Sequence, residues 1–199
     1  MTDISQFSML QLAGYIAQHL KARNIDVVLV GGLAVACYTY NRYLTKDIDM
    51  VDISYQSPRA LQSAMNALGF QKKGRVFVSD ETDIVVEFPS APLSVGDEFI
   101  TNHTEFQTAQ GAIPILQAID VVKDRLAAYF HWQDKQSLVQ ALCIMLCHNI
   151  SPNEVQKFCT REGSQEAFEK IASFHKSLKN IGALEIEDIE RFVVTHSLP

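Results

Sequence analysis

Apolar positions along this chain change their spacing near residue 116. Before it, short apolar runs alternate with helical stripes, and after it only helical stripes occur. Met9, Leu12, Ala13, Ile16, Ala17 and Leu20 repeat at helical intervals, which predicts an amphipathic helix over about 4–23, ended at Asn24. Asp26 to Val30 is almost wholly apolar, as in a strand buried on both faces, and Gly31-Gly32 breaks it. A helix is predicted from Leu33 to Tyr40. From Lys46 to Ile53 the pattern sets Asp47, Asp49 and Val51 against Ile48, Met50 and Asp52, which is strand spacing. Ser57-Pro58 opens a helix carrying Leu61, Ala64, Met65 and Leu68 on one stripe, with Gly69 closing it. Val76–Ser79 and Asp83–Phe88 read as a hairpin pair. The stretch from Ser90 to Gly111 is weakly patterned and reads as loop, with a strand around Phe99 and another over Ala112–Leu116.

From Gln117 onward the stripes are helical. Ile119, Val122, Leu126, Tyr129 and Phe130 form one, and Leu138, Leu142, Met145 and Leu146 the next. Ser151-Pro152-Asn153-Glu154 matches a capping box with proline at the first helical position, so a third helix starts there. Two more are predicted over Gln165–Leu178 and Glu187–Thr195. The expected fold class is therefore α/β (α+β), with a mixed-sheet core over 1–116 and a helical bundle over 117–199. Neither repeats nor a Gly/Ser linker interrupt it.

Composition narrows the function classes. The 199 residues are 47% hydrophobic and 20% charged, as in folded globular proteins. A net charge of −6 excludes a broad electrostatic grip on nucleic acid, which would need a local basic patch instead. No apolar run reaches membrane-span length and Met1 to Leu12 lacks signal-peptide features, so the expected compartment is the cytoplasm, without membrane contact. Of the four cysteines, Cys37, Cys143 and Cys147 lie in apolar helical segments and Cys159 in a more polar one. Cys143 and Cys147 share a helical face, but His148 is turned about 100° from it and no second ligand pair follows. Core packing is thus preferred to zinc.

The candidate chemistry sits between Val27 and Val51. A buried strand ending in Gly31-Gly32 and feeding directly into a helix leaves unpaired backbone N–H groups at the positive end of a helix dipole, a site suited to phosphate. The glycines also carry no side chain to hold a triphosphate off the backbone. Asp47 and Asp49, two apart on a strand, point from one face and can converge on hard cations. A second ion about 3.5–4 Å from the first would clamp the attacking and leaving oxygens of phosphoryl transfer. Asp52 has the opposite parity and is left out.

Taken in order, Val27-Val28-Leu29-Val30-Gly31-Gly32, a helix, and then Arg42-Tyr43-Leu44-Thr45-Lys46-Asp47-Ile48-Asp49 resemble the signature of the DNA polymerase β-like nucleotidyltransferase superfamily. The Arg-x-x-Thr-x-Asp-Ile-Asp form is most similar to its bacterial AbiEii-toxin-like branch of uncharacterised nucleotidyltransferases. The resemblance covers roughly residues 1–116. It implies that Gly31 and Gly32 hold nucleotide phosphates, that Asp47 and Asp49 hold Mg²⁺ or Mn²⁺, and that a third acid lies on a neighbouring strand. Glu87, inside the apolar run Ile84-Val85-Val86-Glu87-Phe88, is the choice for both metal and catalysis, because a charge there is costly unless paired. Asp83 on the same face is the alternate. The family usually has Asp at that place, and the extra methylene of Glu moves the carboxylate. Arg42 and Thr45 resemble positions that steady the triphosphate or the turn, and Lys123 one that contacts the nucleotide. Asp134 completes the fainter helical match. For Lys123 the structural alternative is an ion pair with Asp120 on its own helix.

The expected activity is transfer of NMP from an NTP to an acceptor hydroxyl. The acceptor stays open among tRNA, protein and a small molecule, and the AbiEii likeness adds an antitoxin as a candidate partner. The competing expectation is a catalytically inactive nucleotide-binding or toxin–antitoxin-type regulatory protein on the same fold. A metal-dependent nuclease is less favoured, since no His or Lys stands beside the acids at suitable spacing.

Overall fold

A computed structural model of the chain describes residues 2–183 and 185–196. The first elements are α1 (Met9–Lys21), β1 (Val27–Val30), α2 (Gly31–Tyr38), β2 (Asp47–Asp52) and α3 (Pro58–Ala67). The strands β3 (Gln71–Lys73), β4 (Val76–Ser79), β5 (Thr82–Glu87), β6 (Ser94–Val95), β7 (Glu98–Phe99), β8 (Thr104–Thr108) and β9 (Gly111–Ile115) follow. The chain closes with α4 (Ala118–Trp132), α5 (Lys135–Cys147), α6 (Pro152–Glu162), α7 (Gln165–Ile181) and α8 (Ile186–His196).

Local chemistry fixes the boundaries. α1 starts later than the apolar stripe suggests because Ser8 forms a capping box: its Oγ accepts the Gln11 N–H, and Gln11 Oε1 accepts the Ser8 N–H. Ser57 caps α3, followed by Pro58. Gly69, at φ +85°, ends that segment.

Seven strands form a mixed sheet in the order β3-β4-β5-β2-β1-β9-β8, and β6 pairs with β7 separately. β1 runs antiparallel to β2 and parallel to β9, while β2 runs parallel to β5. On β2, Ile48 and Met50 are fully buried, so the pleat turns Asp47 and Asp49 to the opposite face. The two strands that the apolar pattern does not predict in the main sheet, β3 and β8, are its edges. Their Gln-Lys-Lys and Thr-Glu-Phe-Gln-Thr sequences lack an apolar face, and polar edges resist pairing with other chains.

Two compact units divide the chain. One comprises 1–34, 44–94 and 99–116, and the other 35–43, 95–98 and 117–199. In the first, α1 packs on β9, β8, β1, β2 and α3, burying Leu12, Ile16 and Leu20. In the second, α5 is apolar nearly all round and is buried from Ser137 to Met145, as a central helix must be, with α4, α7 and α8 packed against it. α6 packs on α4 and α7. It begins at the expected capping box, where Ser151 N–H donates to Glu154 Oε1 at 2.7 Å. Ser151→Ala should lower the unfolding free energy by about 1 kcal/mol in a denaturant titration. An unchanged midpoint would show that the cap contributes nothing.

Candidate functional site

The Gly31-Gly32 turn lies where β1 ends. Gly31 takes φ +63°, a conformation that side chains disfavour, and α2 begins at once. Its empty side is filled by an acid: a Cβ on Gly31 would stand 2.2 Å from Asp49 Oδ2 and 3.0 Å from Asp49 Cγ. A Cβ on Gly32 would stand 2.6 Å from Thr45 Oγ1. The glycines thus admit the Asp49 carboxylate and the Thr45 hydroxyl against the turn. That hydroxyl in turn donates to Asp47 Oδ1 at 2.5 Å.

Register aligns the acids. Asp49 lies opposite Val30 on β1 and opposite Glu87 on β5, so the three form one row on one face of the sheet. Asp47 lies opposite Val85. Asp83 lies further back along β5, beyond the start of β2, so Glu87 is the acid level with Asp49. Asp47 is exposed, whereas Asp49 and Glu87 are half-buried. Glu87 keeps 31% of its side chain exposed and meets the guanidinium of Arg75 at 3.9 Å, a loose pair with a residue that is itself 91% exposed. Solvent therefore relieves part of the burial cost that made Glu87 conspicuous in an apolar run.

Among the described residues, no group of three or more His, Cys, Asp or Glu side chains is gathered tightly enough to hold a metal ion. Asp47 and Asp49 nevertheless suit a hard cation. Both supply carboxylate oxygens from one face, and Mg²⁺ is typically held by one or two carboxylates with substrate phosphates and water rather than by a closed protein cage.

No family model matches the chain, and no curated protein matches it. It is similar to a crystal structure of ANT(2″)-Ia in complex with adenylyl-2″-tobramycin, at 15% identity and a TM-score of 0.42, over 86% of this chain and 98% of that one. It is also similar to a solution structure of the antibiotic-resistance factor ANT(2″)-Ia, at 15% identity and a TM-score of 0.43, over 90% of this chain and 96% of that one.

Six of the eight predicted site residues, Gly31, Gly32, Thr45, Asp47, Asp49 and Glu87, lie in the sheet-bearing unit. Arg42 and Lys123 belong to the helical one. Arg42 follows two consecutive left-handed residues, Tyr40 (φ 54°) and Asn41 (φ 61°). Its guanidinium donates to the Thr39 carbonyl at 3.3 Å and pairs with Glu185 at 3.5 Å. Lys123 Nζ lies 2.7 Å from Glu98 Oε2 and 3.8 Å from Asp120 Oδ1, so the ion pair with Asp120 is present and a stronger one accompanies it. Glu98 carried no sequence signal as a partner, because it stands 25 positions before Lys123 with a loop and two strands intervening.

Glu98 also accepts from Arg161 at 3.0 Å. The Lys123 hydrogen bond, followed by that of Arg161, holds the Glu98 carboxyl below its ordinary range. Burial pushes Asp120 the other way, with Lys123 opposing. A depressed folded value means that the contribution of Glu98 to stability is fully present above its unfolded value near about 4.3 and is lost as pH falls through the folded one. Glu98→Gln should therefore flatten the acid limb of a stability–pH curve below about pH 4.3. The same slope in both proteins would refute the linkage.

Other residues find structural employment. Asp134 caps α5, accepting from the Gln136 N–H and from Ser137 Oγ at 2.6 Å. Trp132 is 76% exposed. It stands at the last residue of α4, where little remains to cover it. Cys143 and Cys159 are buried, and burial pushes both thiols up to about 12. His148 Nε2 is 2.8 Å from the Tyr38 carbonyl.

Proposed function

We propose that the protein is a metal-dependent nucleotidyltransferase of the polymerase β-like type, with residues 1–116 as the catalytic core and 117–199 as a helical subdomain. The observation that carries this reading is the row Val30, Asp49, Glu87 set against Gly31, with Asp47 two residues from Asp49 on the same face.

In the reaction, an acceptor hydroxyl oxygen bonds to the α-phosphorus of an NTP and the bond to the β-phosphate bridging oxygen breaks. Pyrophosphate leaves and NMP is transferred. Backbone N–H groups at the start of α2 hold phosphate oxygens. Asp47 and Asp49 would hold Mg²⁺ or Mn²⁺, which would supply positive charge against the negative charge developing on the transferred group. Thr45 fixes the Asp47 carboxylate. Glu87 completes the row and takes the proton of the hydroxyl, which requires it to turn from Arg75. Arg42 and Lys123 bind nucleotide phosphates after exchanging their present carboxylate partners for them. The acceptor is tRNA, protein or a small molecule. On the AbiEii-type version of the reading, an antitoxin is the partner and the cytoplasm the place of action. No helix of the described residues is long and apolar enough to cross a membrane.

The alternative is a catalytically inactive nucleotide-binding or toxin–antitoxin-type regulator. It is favoured by one observation, the Arg75 contact that occupies Glu87. Calorimetric titration of NTP with and without Mg²⁺ tests the site common to both. We expect Mg²⁺-dependent binding that Asp47→Asn weakens about tenfold or more. Binding that ignores both Mg²⁺ and the substitution would remove the acid pair from the site.

A further inference from the structure

The helical unit contains a cavity of about 200 Å³ whose lining has no part in the proposed chemistry. Met145 and Leu146 of α5 and Ala183 give it an apolar wall. His175 and Lys179 of α7, with Asn149, give it a polar one. His175 is 7% exposed, yet it makes no hydrogen bond or ion pair with any described residue. A ring nitrogen with no described protein partner is left for solvent or a ligand to satisfy. Burial, and then the charge of Lys179, holds the imidazole below its ordinary value, so near neutral pH it offers one N–H donor and one bare nitrogen to the cavity.

Lys179, one turn further along α7 and on the same face, is exposed and forms no ion pair with a described residue. Among the described residues it is the single lysine, arginine or carboxylate side chain lining the cavity. Asn149 sits on a left-handed backbone (φ 53°), and its amide is likewise without a described partner. Gly182, at φ +67°, leaves open space where a Cβ would project.

From this placement we infer that the cavity is a binding site for a small organic anion with an apolar tail, of the short-chain carboxylate class. Lys179 supplies the charge, His175 and Asn149 supply N–H donors, and Met145, Leu146 and Ala183 receive the tail. With about 30 Å³ for each water-sized unit, the space takes roughly seven heavy atoms, the size of pentanoate. The site is independent of nucleotidyl transfer.

The test uses the full chain labelled with ¹³C at histidine, with the His175 ring signal assigned by His175→Gln. Pentanoate is titrated against 1-pentanol, which has the same tail without charge. The expected result is a saturable shift of the His175 signal by pentanoate at about tenfold lower concentration than by 1-pentanol, with Lys179→Gln removing that preference and leaving the alcohol response unchanged. Lys179 is exposed, so its replacement should fold. No saturable shift up to about 10 mM pentanoate, equal response to the alcohol, or a preference that survives Lys179→Gln would each overturn the inference.

Discussion

Asp49→Asn is expected to abolish nucleotide turnover, lowering it by about 100- to 1,000-fold or more, with the protein still folded. Asn has nearly the shape of Asp and can still sit against the bare Cα of Gly31, where Asp49 Oδ2 now lies. What it loses is the negative charge that draws a divalent cation, and with it the pairing with Asp47 on the same face. Glu87 stands in the same row but cannot substitute, because it approaches from β5 and leans towards Arg75. Turnover would be read as pyrophosphate released per enzyme with Mg²⁺ present, alongside circular dichroism to confirm folding. Equal turnover in the variant would mean that Asp49 serves only to pack the turn.

Gly31→Ala has the largest expected effect on stability, because two penalties fall on one atom. The backbone at φ +63° disfavours any side chain, and the new Cβ would stand 2.2 Å from Asp49 Oδ2. Left-handed strain costs about 1–2 kcal/mol, and forcing a methyl into a filled space adds about 1–3 kcal/mol, for a total of about 2–5 kcal/mol. Gly74 is the control. It has nearly the same φ, +64°, but nothing within 4 Å of where a Cβ would lie, so Gly74→Ala should show the backbone term alone. The difference between the two midpoints in denaturant measures how tightly Asp49 packs on the turn. If Gly31→Ala cost no more than Gly74→Ala, the carboxylate would be free to swing aside and the turn would not position it.

These two substitutions also show what could be read from residue order. Alternation on β2 was enough to place Asp47 and Asp49 on one face, and the Gly-Gly break was enough to end β1 and start α2. That Gly31 lies under Asp49, and Gly32 under Thr45, could not be read. It depends on the antiparallel pairing of β1 with β2, which no local pattern encodes. Glu87 was legible only as a costly charge in an apolar run, and it is the parallel register of β2 with β5 that sets it beside Asp49 rather than Asp83. The edge strands β3 and β8 were hidden because strands at an edge need no apolar face. Lys123 illustrates the opposite limit: its pair with Asp120 lies within one helical turn and was legible, while the closer partner Glu98 arrives from a distant hairpin. The cavity beside His175 leaves no trace in sequence, since its lining comes from two helices and the segments after them.

The central claim is that this chain moves the α-phosphoryl group of an NTP, with its nucleoside, onto a hydroxyl. The most direct measurement compares α-³²P- and γ-³²P-labelled NTPs, incubated with the protein, Mg²⁺ and a mixture of tRNA, protein and aminoglycoside acceptors. The account predicts that the α-label becomes attached to one acceptor, that the γ-label leaves as pyrophosphate, and that Asp49→Asn does neither. Retention of the γ-label on an acceptor, release of orthophosphate, or no turnover of either label would contradict it.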